Sequence, residues 1–276
     1  MIRIGCTTFS EHGSLVQRKT SKLFEYASVF PVVELDTSYH YLPKEKDVRN
    51  WLTQVPDNFH FILKVHQSVT TQGDLPEGMS MAEALTAFKL AIQPMVDAGR
   101  LYCLLAQFPN RFKCTKESVA YLDEVRQWFA AYPVAIELRD NSWYQPEFRS
   151  SMQAYMRKQK FSLVIVDEPK KLSTTVPLEP LVTNPAFAVC RFHGRNDVGW
   201  TATGPDAKKN RTLYRYNEKE LSELRQAVEE TAAHAQEVAV IFNNNAGGDA
   251  ADNARALIEA MQIDYQQLNP SQLELF

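Results

Sequence analysis

The stretch VELDTSYHY, residues 33–41, begins as a buried β-strand and places two carboxylates two residues apart, at Glu34 and Asp36. Two residues is the period of side chains along a strand, so both carboxylates point to the same face. In a barrel strand the outer face meets the helices and is apolar. At the C-terminal end of the strand, the inner face opens into the ligand pocket. The stretch therefore predicts a barrel strand with charge directed into its interior.

Similar short apolar runs recur along the chain and alternate with stretches of helical spacing, which is typical of a parallel α/β sheet. The predicted strands are 2–6, 32–36, 59–65, 101–107, 134–139, 162–167, 187–193 and 238–243. The predicted helices lie within 14–28, 44–53, 80–97, 115–131, 145–158 and 217–236, and a last one starts near Asp249, which can cap it.

Eight evenly spaced strands, with no GxGxxG motif after the first, favour a single (β/α)8 TIM barrel over an open doubly wound sheet. The connection 168–186 holds four prolines and leaves little room for a regular helix. We predict that residues 1–262 form the TIM-barrel domain. Residues 263–276 are predicted to form a C-terminal tail, extended and free of the barrel.

The bulk composition is that of a soluble globular protein, with 276 residues, 45% hydrophobic and 23% charged. A net charge of -3 gives no global attraction to nucleic acid or to anionic lipid. Because no apolar run could span a bilayer and MIRIGCTTF lacks the features of a secretion signal, we expect a cytoplasmic protein. The four cysteines show no CxxC spacing, so they signal neither a zinc site nor a redox pair.

Strand parity predicts which charged residues face the interior. Val134, Ile136 and Leu138 form an apolar face, which sends Glu137 and Arg139 inward. The same rule predicts an interior or upper-rim position for Arg3, Glu34, Asp36, Lys64, His66, Gln107, Asp167, Arg191, His193 and Asn243.

The predicted interior holds equal numbers of basic and acidic side chains, four of each. A site for two or three divalent metals would need a surplus of carboxylate and imidazole, so we predict no metal, and the sequence shows no nucleotide-cofactor signal. An unpaired buried charge is costly, so Glu34 and Asp36 are expected to face Lys64, Arg139 or Arg191.

Charged residues at the C-terminal ends of barrel strands indicate a catalytic site, although the same network can merely fill the barrel. His193 is the best single candidate for general acid or base catalysis, on the expectation of a near-neutral pKa. Lys64 could form a Schiff base if desolvated, but pairing with an acid is the expected state. The catalytic candidates are Glu34, Asp36, Lys64, Glu137, Arg139, Asp167, Arg191 and His193.

The loop after the last strand, NNNAGGDAADNA at 243–254, places amides and two glycines before a helix. Barrels often bind phosphate at this position through backbone N–H groups, and a plain glycine turn is the alternative. Aromatic residues near strand ends, including Trp200, can stack on a base or sugar, or can simply pack at the rim. The substrate-binding candidates are Tyr39, Tyr41, His66, Gln107, Trp143, Asn243, Asn244, Asn245, Gly247 and Gly248. The basic cluster KKNR, 208–211, is expected to be a solvated loop.

Seven ordered motifs resemble the YecE-like barrels, the family called domain of unknown function 72, over almost the full chain. They are VELDTSYHYLP, FILK at 61–64, AQFP at 106–109, IELRDNSW at 136–143, VDEP at 166–169, RFHG at 191–194 and NNNAGGDAADNA. The resemblance implies a TIM barrel with these residues at its mouth, but no reaction. The chain differs at Asp36, where the family more often has Asn, and in QSVTTQGD, where the family often has a Thr-His pair that His66 partly replaces.

The first functional hypothesis is an enzyme, leaning to a hydrolase, that acts on a phosphate-containing substrate; a phosphodiesterase or nuclease-like activity is one form of it. His193 and a carboxylate would transfer protons, and Lys64, Arg139 and Arg191 would stabilise the developing anion. The alternatives are a barrel enzyme for a small phosphorylated metabolite and a non-catalytic binding module.

The last five residues, QLELF, suggest a partner. Gln272, Leu273, Leu275 and Phe276 resemble the short peptide by which bacterial replication and repair proteins dock on the sliding clamp. Such docking would bring the protein to DNA, which its net charge does not. The alternative is that the apolar residues fold back onto the barrel.

Overall fold

The computed structural model describes residues 1–15 and 22–271. The strands in this part of the chain are β1 (Ile2–Thr7), β2 (Val32–Leu35), β3 (His60–Lys64), β4 (Leu101–Phe108), β5 (Val134–Leu138), β6 (Ser162–Leu163), β7 (Ile165–Asp167), β8 (Phe187–Phe192) and β9 (Glu237–Phe242). All neighbouring pairs are parallel, in the order β6-β5-β4-β3-β2-β1-β9-β8-β7.

The two ends of this order, β6 and β7, are successive halves of the predicted sixth strand, separated only at Val164. The Val164 N–H still donates to the carbonyl of Ile136, at 2.9 Å. The sheet therefore curls into a nearly closed barrel. The predicted TIM barrel is confirmed, and each of the eight predicted strand segments contributes to it.

The longer helices pack around the outside of the sheet, and short helices lie within the connections at the carboxyl ends of the strands. Among the described residues they are α1 (Lys22–Tyr26), α2 (Thr37–His40), α3 (Glu45–Leu52), α4 (Met81–Asp97), α5 (Lys116–Trp128), α6 (Pro146–Lys158), α7 (Asp197–Thr201), α8 (Ala207–Thr212), α9 (Glu218–Ala232) and α10 (Asp249–Ala260). The short helices α2, α7 and α8 were not predicted, because one or two turns are too short to show helical periodicity. As predicted, 168–186 contains no helix.

The two predicted start signals at the last two helices have different outcomes. At α9, Asn217 and Glu220 form a reciprocal capping box, with both hydrogen bonds at 3.0 Å. At α10, however, the capping residue is Gly248 in the left-handed region, φ 82°, and Asp249 is the first helical residue. The prediction that Asp249 caps this helix is therefore wrong. Asp249 instead pairs with Arg215, 3.0 Å away.

The sheet separates two apolar regions. The outer region packs the strands against the helices, and the inner one fills the lower half of the barrel. The inner cluster is built from Val32, Ile62, Tyr102, Cys103, Leu105, Ala135, Val164, Val166, Val176, Phe187, Val189, Ala239 and Ile241. Two residues further along several of these strands the inward side chain is charged, as in the step from Val32 to Glu34. The polar site therefore lies directly above an apolar plug.

The segment after α10 lies against the barrel face opposite the carboxyl ends of the strands. The Tyr265 hydroxyl accepts a hydrogen bond from the Ile4 N–H at 2.8 Å. The Asn269 side chain donates to the carbonyls of Phe24 and Gln54, at 3.0 and 2.8 Å. The expectation that residues 263–276 are free of the barrel is therefore wrong for this part of the tail, while QLELF lies outside the described residues. None of the described helices is long and apolar enough to cross a membrane.

Candidate functional site

A cavity of about 1210 Å³ opens at the carboxyl ends of the strands. Most of the predicted site residues reach it or lie just beneath it. Those that line it are Asp36, Tyr39, Tyr41, Lys64, Gln107, Arg139, His193, Asn243, Asn245 and Gly248. The cavity therefore lies at the position where barrel enzymes bind their ligands.

The Asp36–Lys64 pair faces this cavity. The Lys64 Nζ lies 3.6 Å from Asp36 Oδ1 and 4.6 Å from the centre of the Tyr39 ring. Asp36 follows the last residue of β2 and begins α2, and Lys64 ends β3, so neighbouring strand ends bring the two charges together. The predicted partner of Asp36 is confirmed.

Beneath the cavity floor, Arg191 is clamped between two carboxylates and is fully buried. Its Nε and Nη2 donate to the two oxygens of Glu34 at 2.7 and 2.6 Å, in bidentate geometry. Its Nη1 donates to Glu137 and, at 3.1 Å, to the Gln107 side chain. The predicted pairing of Glu34 is confirmed, but Arg191 is not among the residues that line the cavity. Arg191 therefore supports the site from below.

Arg139 connects the cavity to the buried network, which is formed by Arg191, Glu34 and Glu137. Its Nη1 donates to Glu137 Oε1 at 2.8 Å, and its Nε lies 2.8 Å from Glu168 Oε1. Its guanidinium stacks over Trp200, with 4.8 Å between the guanidinium carbon and the ring centre. Arg139 is thus held by buried carboxylates on one side while it lines the cavity on the other.

The carboxylates of the network differ in proton affinity. Burial raises the pKa of Glu34 to about 7, against the opposing effect of Arg191. Burial also raises the pKa of Glu168 to about 7, against the opposing effect of Arg139. Burial alone would raise the pKa of Glu137 as well, but Arg191 and the other donors outweigh it and hold that pKa well below its usual range. Near neutral pH Glu137 is therefore ionised, whereas Glu34 and Glu168 each titrate in this range.

His193 lies among these groups, but the near-neutral pKa expected for it is wrong. Burial, followed by the positive charge of Arg139, lowers the pKa of His193 to about 3. Its Nε2 lies 3.0 Å from Arg139 Nη1, and its Nδ1 lies 2.8 Å from the Asn243 side-chain nitrogen. His193 is therefore a neutral hydrogen-bonding residue at physiological pH and a weak base.

Asp167 does not point into the barrel, so its predicted position is wrong. Its carboxylate accepts hydrogen bonds from Arg195 Nε at 3.0 and 2.9 Å and from the Tyr216 hydroxyl at 2.8 Å, on the helix side of the sheet. The next residue, Glu168, takes the inward position. Residues 163–166 are apolar at every position, so this strand carries no alternation from which its inward face could be predicted.

Five other candidates lie outside the cavity lining. His66 caps the 3-10 turn Gln67–Thr70 by accepting from the Ser68 N–H, and Trp143 is 1% exposed in the core. Asn244 is buried and donates to Tyr214 and Asn253, while Gly247 is an exposed turn residue. Arg3, predicted to point inward, pairs with Glu237 at the opposite end of the barrel. For Trp143 the alternative of packing therefore explains the residue better than stacking on a ligand.

Two backbone N–H groups of the loop before α10 already donate to carbonyl groups of the protein. The Gly248 N–H donates to the Asn245 carbonyl at 2.9 Å, and the Ala246 N–H lies 3.4 Å from the Thr212 carbonyl. Asp249 and Asp252 already place negative charge in the first helical turn. The predicted phosphate site at Gly247 and Gly248 stays a prediction.

Two basic residues of the KKNR cluster are exposed, as expected, but they lie on a short helix and not in a loop, and they line the cavity. They are Lys209 and Arg211 on α8, and Trp200 on the preceding short helix α7 lies between this rim and Arg139. The sequence of α8 does not mark it as part of the mouth, because the helix does not follow the end of a strand directly. Thr8 also lines the cavity, with φ 60°, a strained backbone for a β-branched residue.

Glu137, Glu168 and His193 also form the one group among the described residues that could hold a metal ion, with ligand atoms within 4.8 Å of one another. Arg139 contacts all three residues at 2.8–3.0 Å. The guanidinium therefore provides the positive charge at this position, and a divalent ion bound there would have to displace it.

Comparison with known proteins places the whole chain in one group. The family described as "Protein of unknown function DUF72" matches residues 3–274. The UPF0759 protein YunF of Bacillus subtilis is 38% identical, with all of both chains covered. A DUF72 family protein from Enterococcus faecalis V583 is 47% identical, with a TM-score of 0.94 over 99% of this chain and 100% of that one. A DUF72 family protein from Thermotoga maritima MSB8 is 32% identical, with a TM-score of 0.80 over 95% of this chain and 100% of that one.

Proposed function

The chain belongs to the DUF72 family, whose description assigns no reaction, and from the site itself we propose that the protein is an enzyme that hydrolyses a phosphate ester at the barrel mouth. The observation that carries the proposal is the pairing of cavity-facing cations with carboxylates. Lys64 and Arg139 both line the cavity, and both are positioned by acidic side chains. Cations held in this way stabilise developing negative charge on a phosphoryl group without reorganising during the reaction.

In the proposed reaction, water attacks phosphorus and passes a proton to Asp36, the carboxylate that faces the cavity. The ester P–O bond breaks, and the departing oxygen takes a proton from the Lys64 ammonium group. Asp36 and Lys64, 3.6 Å apart, then exchange the proton to restore their starting charges. Arg139 binds a non-bridging phosphoryl oxygen, and His193 and Glu137 orient Arg139.

Lys64→Met is expected to weaken binding of thymidine monophosphate about 10- to 100-fold, the range for losing one charged contact. Thymidine, which lacks the phosphate, should bind weakly to both forms. The measurement is isothermal titration calorimetry, with Lys116→Met on the exposed surface of α5 as the control. Equal binding of thymidine and thymidine monophosphate by the unmodified protein would contradict the proposal.

Turnover separates an enzyme from a binding module. Release of p-nitrophenol from bis(p-nitrophenyl) phosphate should be detected with the unmodified protein and lost in Lys64→Met. Phosphate-dependent binding without turnover of this diester or of p-nitrophenyl phosphate would favour the non-catalytic module.

We propose in addition that QLELF docks on a bacterial sliding clamp and brings the enzyme to DNA. The resemblance of this peptide to clamp-docking peptides supports the proposal, although its residues lie outside the described part of the chain. Tyr265 and Asn269 hold the preceding segment on the face opposite the mouth, so docking there would leave the cavity open.

Replacing Leu275 and Phe276 together with alanine is expected to abolish binding to the purified clamp, since these side chains supply the apolar anchors. Surface plasmon resonance measures this with the full chain. Leu90→Ala combined with Phe148→Ala removes the same side-chain types from exposed positions on α4 and α6 and should leave binding unchanged. Equal affinity of the tail variant and the unmodified chain would rule the docking peptide out.

A further inference from the structure

The rim of the cavity carries a second pair of cations, separate from Lys64 and Arg139. Lys209 and Arg211 lie on α8 and line the same cavity. The rim is therefore placed to contact the part of a ligand that extends out of the barrel.

The position of α8 is fixed by its contacts with α7. The Asn196 side chain caps α7 by accepting from the Gly199 N–H at 3.0 Å, and it donates to the carbonyls of Asn210 and Leu213 at 2.9 and 3.1 Å. A Cβ at Gly199 would lie 2.1 Å from the Asn210 carbonyl oxygen, so only glycine permits this approach. The two helices thus form one unit that presents the rim cations.

Trp200 connects the rim to the deep cations. Its ring centre lies 4.8 Å from the guanidinium carbon of Arg139 and 6.0 Å from that of Arg211. Both guanidinium groups therefore contact the same indole, and a single ligand with two separated phosphate groups can reach both.

The deep cations and the rim cations differ in whether carboxylates pair with them. Lys64 and Arg139 have carboxylate partners. In the part of the chain that the structure describes, no ion pair is found for Lys209 or Arg211. The two rim cations therefore have no carboxylate at ion-pair distance among the described residues, although Glu11 also lines the cavity, in a protein whose net charge is -3.

We propose that Lys209 and Arg211 form a second anion subsite, so that the substrate is a short single strand of nucleotides with one phosphate at Lys64 and Arg139 and another at the rim. This inference rests on the proposed function and names its substrate class. A cavity of about 1210 Å³ exceeds the roughly 300–1,000 Å³ of pockets for small ligands. Tyr39 and the 74% exposed Tyr41 supply aromatic surfaces of the kind on which unpaired bases stack.

The test compares a thymidine trinucleotide with thymidine monophosphate, by calorimetry over a series of salt concentrations. The unmodified protein should bind the trinucleotide at least tenfold more tightly. Lys209→Gln combined with Arg211→Gln should remove this advantage and leave monophosphate binding unchanged. For the trinucleotide, the negative slope of log affinity against log salt should become shallower by about 0.7 for each lost phosphate contact.

Arg157→Gln combined with Lys158→Gln makes the same charge change at exposed positions on α6 and serves as the control. Equal thermal unfolding midpoints of the two double variants show that the rim remains folded. If the rim variant keeps the trinucleotide advantage while Lys64→Met still weakens both ligands, the second subsite is overturned and the proposed function stands. If neither ligand binds the unmodified protein, both fail.

Discussion

Replacing Arg191 with methionine is expected to lower the free energy of unfolding by about 3–5 kcal/mol, the usual cost of removing one partner from a buried ion pair. Arg191 is fully buried and donates two hydrogen bonds to the Glu34 carboxylate and one to Glu137. Without it, two carboxylates remain in the interior with a large desolvation penalty. Urea unfolding at neutral pH measures the loss.

Two further variants separate charge from packing. Arg49→Met removes an exposed arginine paired with Glu45 one helical turn away, and should cost less than about 0.5 kcal/mol. The double variant with Glu34→Met and Arg191→Met removes both charges of the ion pair and leaves no unpaired Glu34 carboxylate. It should therefore be more stable than Arg191→Met alone by at least about 1 kcal/mol. A double variant no more stable than the single one would show that lost packing, and not the unpaired carboxylate, destabilises the protein.

The stability contributed by Glu168 is expected to decrease as the pH rises, by up to about 3 kcal/mol between pH 4.5 and pH 8. Burial raises the pKa of Glu168 from 4.5 to about 7 in the folded protein. The folded state therefore binds more protons than the unfolded state between these two values. This contribution is fully present below the unfolded pKa and is lost as the pH rises through the folded pKa.

Glu168→Gln removes this titration. The free energy of unfolding of the variant, relative to that of the unmodified protein, should therefore be higher at pH 8 than at pH 5 when both are measured by urea unfolding. Glu83→Gln is the matched control. Hydrogen bonds from the Ser80 N–H and hydroxyl lower the pKa of Glu83, so most of its contribution is present at pH 5 and it should change little, and in the opposite direction, up to pH 8. A pH-independent difference for Glu168→Gln would mean that Arg139 keeps Glu168 ionised throughout.

Much of the deep site was predictable because regular strands obey a period of two. Glu34, Lys64, Glu137, Arg139, Arg191 and His193 were all placed by this rule at the carboxyl ends of the strands, and all meet there. The rule failed at Asp167 because residues 163–166 are apolar on both faces, so nothing in that run distinguishes inside from outside. Glu168 was found only once the neighbouring strands were in place.

The pKa of His193 and the roles of Trp143 and Asn244 also depended on packing. An imidazole has a near-neutral pKa in water, and only its burial beside Arg139 lowers the pKa to about 3. Trp143 follows a strand in the sequence, as a ligand-stacking residue would, but its indole N–H donates to the Phe112 carbonyl at 2.8 Å inside the core. Sequence position could not separate these roles, because the partners come from other segments of the chain.

The sequence by itself determined the barrel, its strand segments and the charged inward face, since apolar periodicity and strand spacing are properties of neighbouring residues along the chain. Only the tertiary structure decided which charges are locked together and which face the cavity, and it alone brought Lys209 and Arg211 to the mouth. These outcomes depend on contacts between residues far apart in the chain, such as Glu34 with Arg191. Their geometry follows from closure of the sheet, which no local pattern encodes.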